Sequence, residues 1–187
     1  PGDIKYKDLN HDGVIDSNDQ APIGYNPVPE MTFSLAAGLN WKGIDFSILL
    51  QGAARSSIYL QQDIAWDNFW GNYYEEHIGR WTPETAATAT YPRFTKAATA
   101  AHPNYYKSDY WLKDSKYLRL KNIQLGYTIP RKLLKKFGVR SLRVYANAYN
   151  LFTWDNVKKV DPESSNNSNG QFYPQQKVIN FGINLNF

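Results

Sequence analysis

Cysteine is absent from this sequence of 187 residues, which excludes a disulfide framework and any zinc site built on thiolate ligands. No run of about 18 apolar residues occurs either, so no transmembrane helix is predicted. Catalytic motifs are missing as well: there is no GxSxG, phosphate-loop or GxGxxG pattern, and the residues around His77 lack the HExxH spacing of a zinc protease. The sequence therefore indicates that the chain is not an enzyme.

A strong charge of either sign is also missing. The formal net charge is +4 and the isoelectric point is near 9.1. The basic residues are scattered apart from one cluster, RKLLKK at 131–136, which a solvated turn explains more simply than a phosphate-binding patch. We therefore expect no nucleic-acid partner.

Aromatic residues, by contrast, are abundant. They make up 16% of the sequence, with 14 tyrosines and 6 tryptophans against a single methionine. Aromatic and β-branched side chains fit the pleated, half-buried surface of a sheet. The composition therefore predicts an all-β protein.

Alternation of apolar and polar residues predicts where the strands lie. In the last residues, Phe181, Ile183, Leu185 and Phe187 alternate with asparagine and glycine, which is the period of a strand with one apolar face. The predicted strands span about 31–41, 44–53, 117–129, 141–150 and 178–187. Alternation alone fits both a soluble sandwich, whose apolar face meets a core, and a membrane barrel, whose apolar face meets lipid.

The connections between the predicted strands favour the barrel. They alternate between short, at 42–43 and 130–140, and long, at 54–116 and 151–176. Outer-membrane barrels combine short periplasmic turns with long extracellular loops, and their strands are about 9–11 residues long. A switch in the parity of apolar residues near Lys121 further predicts a β-bulge in the third strand.

The stretch DLNHDGVIDSND, residues 8–19, follows the template of a calcium loop. Oxygen-bearing side chains recur at alternate positions, Gly13 supplies the sharp bend, and an aspartate replaces the usual glutamate at the last position. The predicted ligands of Ca²⁺ are Asp8, Asn10, Asp12, Val14 through its carbonyl oxygen, Asp16 and Asp19. The alternative is an Asx-rich surface turn that binds no metal.

The long connection 54–116 is rich in tyrosine and tryptophan, and four of these residues are candidate contacts for a sugar or a partner protein. The candidates are Trp66, Trp70, Tyr73 and Tyr74. Aromatic residues are equally expected in a girdle at the membrane interface or in a loop that packs on itself, and both of these roles stay open.

Six stretches of the sequence, in order, carry a family resemblance. The chain resembles the C-terminal region of the TonB-dependent outer-membrane transporters of the SusC/RagA type. The matching stretches are GDIKYKDLNHDGVIDSNDQAPIG (2–24), FSLAAGLNWKGIDFSILLQGA (33–53), RWTPE (80–84) with YPR (91–93), YLRLKNIQLGYTIP (117–130), LRVYANAYNLFTW (142–154) and DPE (161–163).

The resemblance implies an all-β chain whose antiparallel strands form the C-terminal part of a 22-stranded transmembrane β-barrel. Residues 1–29 would be an extracellular segment with an EF-hand-like or dockerin-like calcium loop, and residues 30–187 the last strands with their long extracellular loops. The final strand resembles the assembly signal of outer-membrane barrels, carried by Asn180, Gly182, Leu185 and Phe187.

The resemblance also implies a function and partners. Such transporters import glycans or peptides across the outer membrane of Bacteroidetes-type Gram-negative bacteria. The implied partners are the rest of the barrel and its plug, a SusD-like surface lipoprotein, the TonB complex through an N-terminal part, and outer-membrane lipid. Since five strands cannot close a barrel, we expect a fragment that transports nothing alone. Two alternatives are a secreted, calcium-stabilised β-sandwich that binds carbohydrate and an adhesin or receptor barrel without transport.

Overall fold

The computed structural model describes residues 1–67, 71–96, 101–157, 160–164, 173 and 175–187. The strands are β1 (Met31–Trp41), β2 (Ile44–Ala54), β3 (Ser57–Tyr59), β4 (Leu112–Asp114), β5 (Tyr117–Thr128), β6 (Ser141–Asp155) and β7 (Val178–Asn186). One short helix, α1 (Arg131–Leu134), and 3-10 turns at Gln62–Ile64, Glu75–Gly79, Pro103–Tyr105 and Lys135–Phe137 complete the described elements. Within the described ranges, no helix has the length and apolar character needed to cross a membrane.

The chain divides into two compact units. The loop unit consists mainly of Pro1–Pro27 and Ser57–Asp114, and the sheet unit consists of Val28–Ser56, Ser115–Glu163 and Tyr173–Phe187. The loop unit contains a two-stranded sheet of β3 and β4, and the sheet unit contains a five-stranded sheet in the order β1-β2-β5-β6-β7. All pairs in both sheets are antiparallel, which confirms the predicted all-β class.

The register of the large sheet collects the apolar residues on one face. One row of directly opposed residues crosses all five strands: Ala37, Ile48, Ile123, Ala148 and Ile179. Because side chains alternate along each strand, the neighbouring positions with the same parity extend this row into an apolar face.

The adjacent row lies on the opposite face and is polar. It consists of Gly38, Ser47, Gln124, Asn147 and Asn180. The two faces of the sheet therefore differ in character from one edge strand to the other, as in the wall of a barrel that separates lipid from a wet interior.

The predicted bulge in the third predicted strand, β5, is confirmed. Lys121 has no opposed residue in either neighbouring strand, since the register passes from Leu120 to Asn122 on both sides. On β6 the register skips near Asn150, whose φ is +51°, and then resumes with Phe152 opposite Leu120. A bulge keeps one face continuous after a change of parity. As a result β6 continues to Asp155, beyond the predicted end at 150.

The apolar face of the sheet is open. Leu35, Leu125 and Phe181 are 61%, 55% and 83% exposed. Within the described residues there is one five-stranded sheet and one two-stranded sheet with strands of three residues, so the two large facing sheets of the β-sandwich alternative are not found. That alternative is therefore not favoured.

The loop unit has a small core of its own. Its buried residues are mainly aromatic or aliphatic, and they come from the first and second halves of the connection 54–116. They are Ile58, Leu60, Ala65, Trp66, Tyr91, Tyr105 and Trp111. Packing of the long connection on itself thus accounts for Trp66 and Trp111.

Candidate functional site

The loop 8–19 is folded by hydrogen bonds from backbone N–H groups to its own acidic side chains. The two carboxylate oxygens of Asp8 accept from His11 N at 2.6 Å and Gly13 N at 2.9 Å. Asp12 Oδ1 accepts from Val14 N at 2.8 Å, which closes an Asx turn. Gly13 has φ +85°, so its lack of a Cβ permits the bend that the calcium-loop template places there.

Asp19 joins the two ends of this loop. Its Oδ1 accepts from Leu9 N at 2.7 Å and its Oδ2 accepts from Asp16 N at 2.9 Å. The bond from the backbone of Asp16, followed by the one from Leu9, lowers the pKa of the Asp19 carboxyl. Asp19 is therefore held as a carboxylate, the form that binds a hard cation.

The donor set of the loop fits calcium in its chemistry, because four carboxylates, one side-chain amide oxygen and one backbone carbonyl oxygen are all hard ligands. Within the described residues, however, no group of three or more His, Asp or Glu side chains is arranged to hold a metal ion. Asp8, Asn10, Asp12, Val14, Asp16 and Asp19 thus share one exposed loop in which the side-chain oxygens mainly accept backbone N–H groups.

The segment before this loop is fastened to the rest of the loop unit. Ile4 N donates to Asn104 Oδ1 at 2.9 Å, and Asn104 Nδ2 donates to Asp3 Oδ1 at 2.9 Å. Asp3 also pairs with Arg93 at 2.7 Å, and this interaction is the main cause of the lowered pKa of the Asp3 carboxyl. Asn104 is fully buried, so its amide group, in place of water, is the hydrogen-bond partner of Asp3 and Ile4.

A buried carboxylate organises the core of the loop unit. Asp67 is fully buried, accepts from Thr95 N at 2.9 Å, and accepts from the hydroxyls of Tyr91 and Tyr105. Burial, followed by the charge of Asp67, raises the pKa of Tyr91, and burial also raises that of Tyr105. Both phenols therefore remain protonated and donate to Asp67, which stabilises a charge that would be costly to bury alone.

The histidine of the Glu75-Glu76-His77 stretch is part of the same core. His77 is buried, its Nδ1 accepts from Tyr74 N at 3.0 Å, and its Nε2 lies 3.2 Å from the carbonyl oxygen of Ala65. Since a carbonyl can only accept, Nε2 carries the proton. This satisfied pair of hydrogen bonds gives His77 a structural role.

The four aromatic contact candidates fall into different surroundings. Trp66 is buried and its ring centroid lies 4.7 Å from that of Tyr105, so its face is already occupied. Tyr73 and Tyr74 are exposed, and the Tyr74 hydroxyl donates to the carbonyl oxygen of Asp63. Trp70 lies outside the described residues. Of the three described candidates, Tyr73 and Tyr74 are thus placed where an external partner could reach them.

A second ionic centre lies on the polar face of the sheet. The side chain of Arg119 on β5 is only 2% exposed and donates to both carboxylate oxygens of Asp161 at 2.8 Å. It also donates to Glu163 at 2.9 Å and to Thr153 Oγ1 at 2.9 Å. Tyr117 OH donates to the other oxygen of Glu163 at 2.5 Å. We call this group the Arg119 clamp; it fastens the start of the connection after β6 to the strand wall.

Sequence reasoning did not find the Arg119 clamp. At the level of sequence, Asp161 and Glu163 stand out only within the DPE stretch of the family resemblance, and Arg119 only within the stretch 117–130. The signal that could have indicated it is an arginine on the polar face of a strand, combined with two acidic residues spaced by one proline. Their pairing depends on the path of the connection, which no local pattern encodes.

An ion pair also crosses three strands near the short-turn edge. Arg143 Nε on β6 donates to Asp45 Oδ1 on β2 at 2.9 Å, over Gly126 on the strand between them. Next to it, the ring of Tyr145 lies over Gly182 of β7, where a Cβ would overlap the ring. Two glycines thus let long side chains lie flat on the polar face.

The residues of the implied assembly signal lie in and just after the last strand. Asn180 and Gly182 are on the polar face, and Asn180 Nδ2 donates to Asn147 Oδ1 at 3.0 Å. Leu185 is on the apolar face opposite Leu142, and the exposed Phe187 follows the end of β7. Asn180, Leu185 and Phe187 are exposed, whereas Gly182 is half-buried beneath the Tyr145 ring, and the part of all four in assembly stays a prediction.

Comparison with known proteins gives a consistent result, although no protein-family model matches the chain. TonB-dependent receptor P26 of Formosa agariphila is 30% identical over 203 residues, and TonB-dependent receptor P3 of the same organism is 27% identical over 199 residues. TonB-dependent receptor SusC of Bacteroides thetaiotaomicron is 26% identical over 189 residues. Each match covers 100% of this chain and 18–20% of the relative, so the chain spans about a fifth of the length of these curated relatives.

Solved structures show the same fold. The RagAB peptide importer in its open-open state has a TM-score of 0.68 at 24% identity, covering 93% of this chain and 19% of that one. The RagAB peptide transporter has a TM-score of 0.68 at 23% identity, covering 93% and 20%. The chain is therefore homologous over its whole length to the TonB-dependent receptors of the SusC/RagA type, and its five-stranded sheet is a segment of their β-barrel fold.

Proposed function

We propose that the chain forms part of the wall and the external loops of an outer-membrane importer that takes up glycans or peptides with energy relayed by TonB. The observation that carries this proposal is the two-faced sheet: an apolar row crosses all five strands beside a polar row, and long connections alternate with short ones. An exposed apolar face of this size needs a nonaqueous neighbour, and lipid satisfies that need in a barrel wall.

In this function the polar face lines the passage for the solute. The Arg119 clamp holds the connection after β6 against the wall, so the clamp keeps this part of the loop out of the passage or in a defined place beside it. The ion pair of Asp45 and Arg143 ties three strands together and resists distortion of the wall when the plug moves. The chain's own residues thus provide a rigid, wet surface.

The substrate class and the partner are further parts of the proposal. The RagAB structures are those of a peptide importer, which supports peptides as one candidate class beside glycans. A SusD-like surface lipoprotein would rest on the external loops, where Tyr73 and Tyr74 offer exposed aromatic faces. The TonB complex and the plug would contact other parts of the full-length protein.

Growth tests the transport proposal directly. Deleting the gene of the full-length protein should abolish growth on one class of nutrient, peptides or a particular glycan, supplied as the sole source. Loss of TonB should have the same effect, and complementation should restore growth. Normal growth of the deletion strain on every peptide and glycan tested, together with outer-membrane location, would favour a receptor or adhesin without transport.

Partner binding can be tested separately on the same protein. Tyr73→Ala should weaken co-purification with a surface lipoprotein, because it removes an exposed aromatic face. Tyr25→Ala is a matched control, since Tyr25 is exposed in the same unit to a similar degree, 50% against 56%. Equal loss with both variants would contradict a specific contact at Tyr73.

We also propose that Ca²⁺ binds the loop 8–19 through Asp8, Asn10, Asp12, the carbonyl oxygen of Val14, Asp16 and Asp19. The lowered pKa of Asp19 and the bend at Gly13 support the proposal. Bound calcium would stiffen the loop, with an affinity of about 10⁻⁴–10⁻³ M as in extracellular modules. Titration calorimetry of the full-length protein should show this binding and its loss in Asp12→Asn/Asp16→Asn, with Asp109→Asn as the control; unchanged binding in the double variant would contradict the assignment.

A further inference from the structure

The connection between β5 and β6, residues 129–140, combines positive charge with exposed apolar side chains. We call it the basic turn. It contains five basic residues and no acidic one: Arg131, Lys132, Lys135, Lys136 and Arg140. Because the whole chain has a net charge of +4, the rest of the chain carries one net negative charge, so the excess positive charge is concentrated here.

All five basic side chains are available. Each is exposed, and within the described residues none of them forms an ion pair. The neighbouring acidic residue, Asp45, is already paired with Arg143. The positive charge of the basic turn is therefore not neutralised by this part of the protein.

The turn is a defined structure that presents two large apolar side chains. Helix α1 and the following 3-10 turn end at Gly138, whose φ is +69°. Leu134 is buried and anchors the turn, whereas Leu133 and Phe137 are 65% and 76% exposed. A short amphipathic element with basic and exposed apolar residues is typical of a segment that lies at the headgroup level of a bilayer.

The register places the basic turn at the rim of the apolar face. The short β1–β2 turn lies at the same edge, because Ile44 at the start of β2 opposes both Trp41 and Tyr127, and Thr128 N donates to Gly43 O at 2.7 Å. Trp41 and Tyr127 are exposed on the apolar face at this edge, and Lys42 Nζ lies 4.8 Å from the Trp41 ring centre. Aromatic and basic residues at the end of an apolar face mark a membrane–water interface.

From these observations we infer that the basic turn, with Lys42, is a binding surface for the anionic headgroups of phospholipids in the leaflet that meets the short turns. This inference rests on the proposed function, because it requires the apolar face to lie in a bilayer. The shared chemistry is the phosphate group: lysine and arginine pair with it, while Leu133 and Phe137 contact the upper part of the acyl chains.

The test uses the full-length protein in nanodiscs. Nanodiscs of neutral phosphatidylcholine are compared with nanodiscs that also contain phosphatidylglycerol, and native mass spectrometry counts the anionic lipids retained after the disc is removed. The parent protein should retain phosphatidylglycerol selectively. Lys132→Gln/Lys135→Gln/Lys136→Gln should reduce that selectivity by about fivefold per charge, on the order of 100-fold in total.

Two matched variants control for charge and folding. Lys5→Gln/Lys7→Gln/Lys107→Gln removes three exposed lysines of the loop unit and should leave the selectivity unchanged. Lys132→Arg/Lys135→Arg/Lys136→Arg keeps the charge and should keep the selectivity. Glycerol phosphate at millimolar concentration should not displace the lipid, which would separate a headgroup in a bilayer from a free phosphate.

Each remaining outcome overturns a specific statement. A parent protein that enters neutral nanodiscs but retains no phosphatidylglycerol overturns the lipid inference and leaves the proposed membrane function intact. Equal losses in the two glutamine variants overturn the assignment to the basic turn. Failure of the parent protein to enter any bilayer overturns the membrane function itself. Binding of an acidic periplasmic protein by the basic turn without lipid selectivity would also overturn the inference.

Discussion

At the scale of single residues, the chain places its buried charges in fully bonded groups. Asp67 accepts three hydrogen bonds in the loop unit, and Arg119 is surrounded by oxygen atoms in the sheet unit. A buried charge without partners is costly, so removing one member of such a group should cost more than removing one member of an exposed pair. The two kinds of ion pair in the sheet unit allow a direct comparison.

Arg119→Met should destabilise the protein strongly, because it leaves Asp161 without its cation and leaves Glu163 with only the longer pair to Lys121 at 3.7 Å. We expect a loss of about 2–4 kcal/mol in the free energy of unfolding, slightly below the usual cost for a fully buried pair because the side chain of Glu163 is 22% exposed. Urea unfolding of the full-length protein refolded in liposomes measures this loss. The control is Arg55→Met, whose pair with Glu30 is long at 3.7 Å and exposed; we expect a loss below about 1 kcal/mol there. Similar losses in both variants would show that the Arg119 clamp contributes no more to stability than an exposed ion pair.

Asp3 should make the attachment of the first residues sensitive to acid. Its pKa is lowered in the folded state, mainly by the hydrogen bond from Arg93. The stabilising contribution is therefore complete above the unfolded value, about 3.9, and is lost as the pH falls through the lower folded value. Since both side chains are more than a third exposed, this contribution should be below about 1 kcal/mol.

Hydrogen exchange, corrected for intrinsic rates, measures that attachment at the amide of Ile4, which donates to Asn104. Its protection should fall below about pH 4 in the parent protein. In Asp3→Asn the protection should be lower already at neutral pH and should change little on acidification. Asp19→Asn, in the adjacent exposed loop, should leave the protection of Ile4 unchanged; an equal effect would mean that the whole segment opens together.

At the scale of elements, glycines and bulges set how the strands fit together. The bulge at Lys121 keeps Leu118 and Leu120 on the same face as Ile123 and Leu125. Alternation of residue types indicated this bulge in advance, because a change of parity within one strand has few other solutions. The flat placement of Arg143 over Gly126 was not indicated, because it depends on two strands that are distant in sequence.

Gly126→Ala should weaken the three-strand ion pair. A Cβ at this position would lie 2.5 Å from both Arg143 Nη2 and Asp45 Oδ1, so the two charged groups would have to move apart. Overpacking of this kind costs about 1–3 kcal/mol. Gly38→Ala in β1 is the control, because a Cβ there meets only Phe46 O at 3.5 Å. The temperature at which the folded band disappears on semi-native electrophoresis should fall for Gly126→Ala and stay or rise for Gly38→Ala. A fall of equal size in both would indicate a general effect of replacing strand glycines.

At the scale of the whole molecule, the apolar face implies a bilayer, and adjacent residues of one strand test this implication. Leu35 lies on the apolar face and Ser34 on the polar face of β1. In the full-length protein Leu35→Lys should lose about 2–4 kcal/mol of stability, the cost of a charge on the lipid face near the midplane, whereas Ser34→Lys should lose little. Outer-membrane levels and refolding into liposomes should both show the difference. Equal tolerance of the two lysines would contradict contact between this face and lipid.

Several features of the protein were determined by the sequence alone. Strict alternation of residue types predicted the all-β class, and the long and short connections indicated a barrel wall, because both patterns are local consequences of strand geometry. The order of residues in the loop 8–19 likewise indicated the bend at Gly13, since a bend is a local feature, whereas Asx turns belonged to the alternative that binds no metal. Calcium binding by that loop, and the roles of Asn180, Gly182, Leu185 and Phe187, remain predictions.

Only the tertiary structure decided which polar and aromatic residues work together. Trp66 had the same aromatic character as Tyr73, yet folding buried the first in the loop core and left the second exposed. Arg119 and Asp161 are 42 residues apart, and Asp3 and Asn104 are 101 apart. Such pairs form only where the fold brings distant segments together. The entropy cost of closing the chain between the two partners is offset by the whole fold. A sequence pattern reports the neighbours along the chain, whereas buried charges are stabilised by neighbours in space.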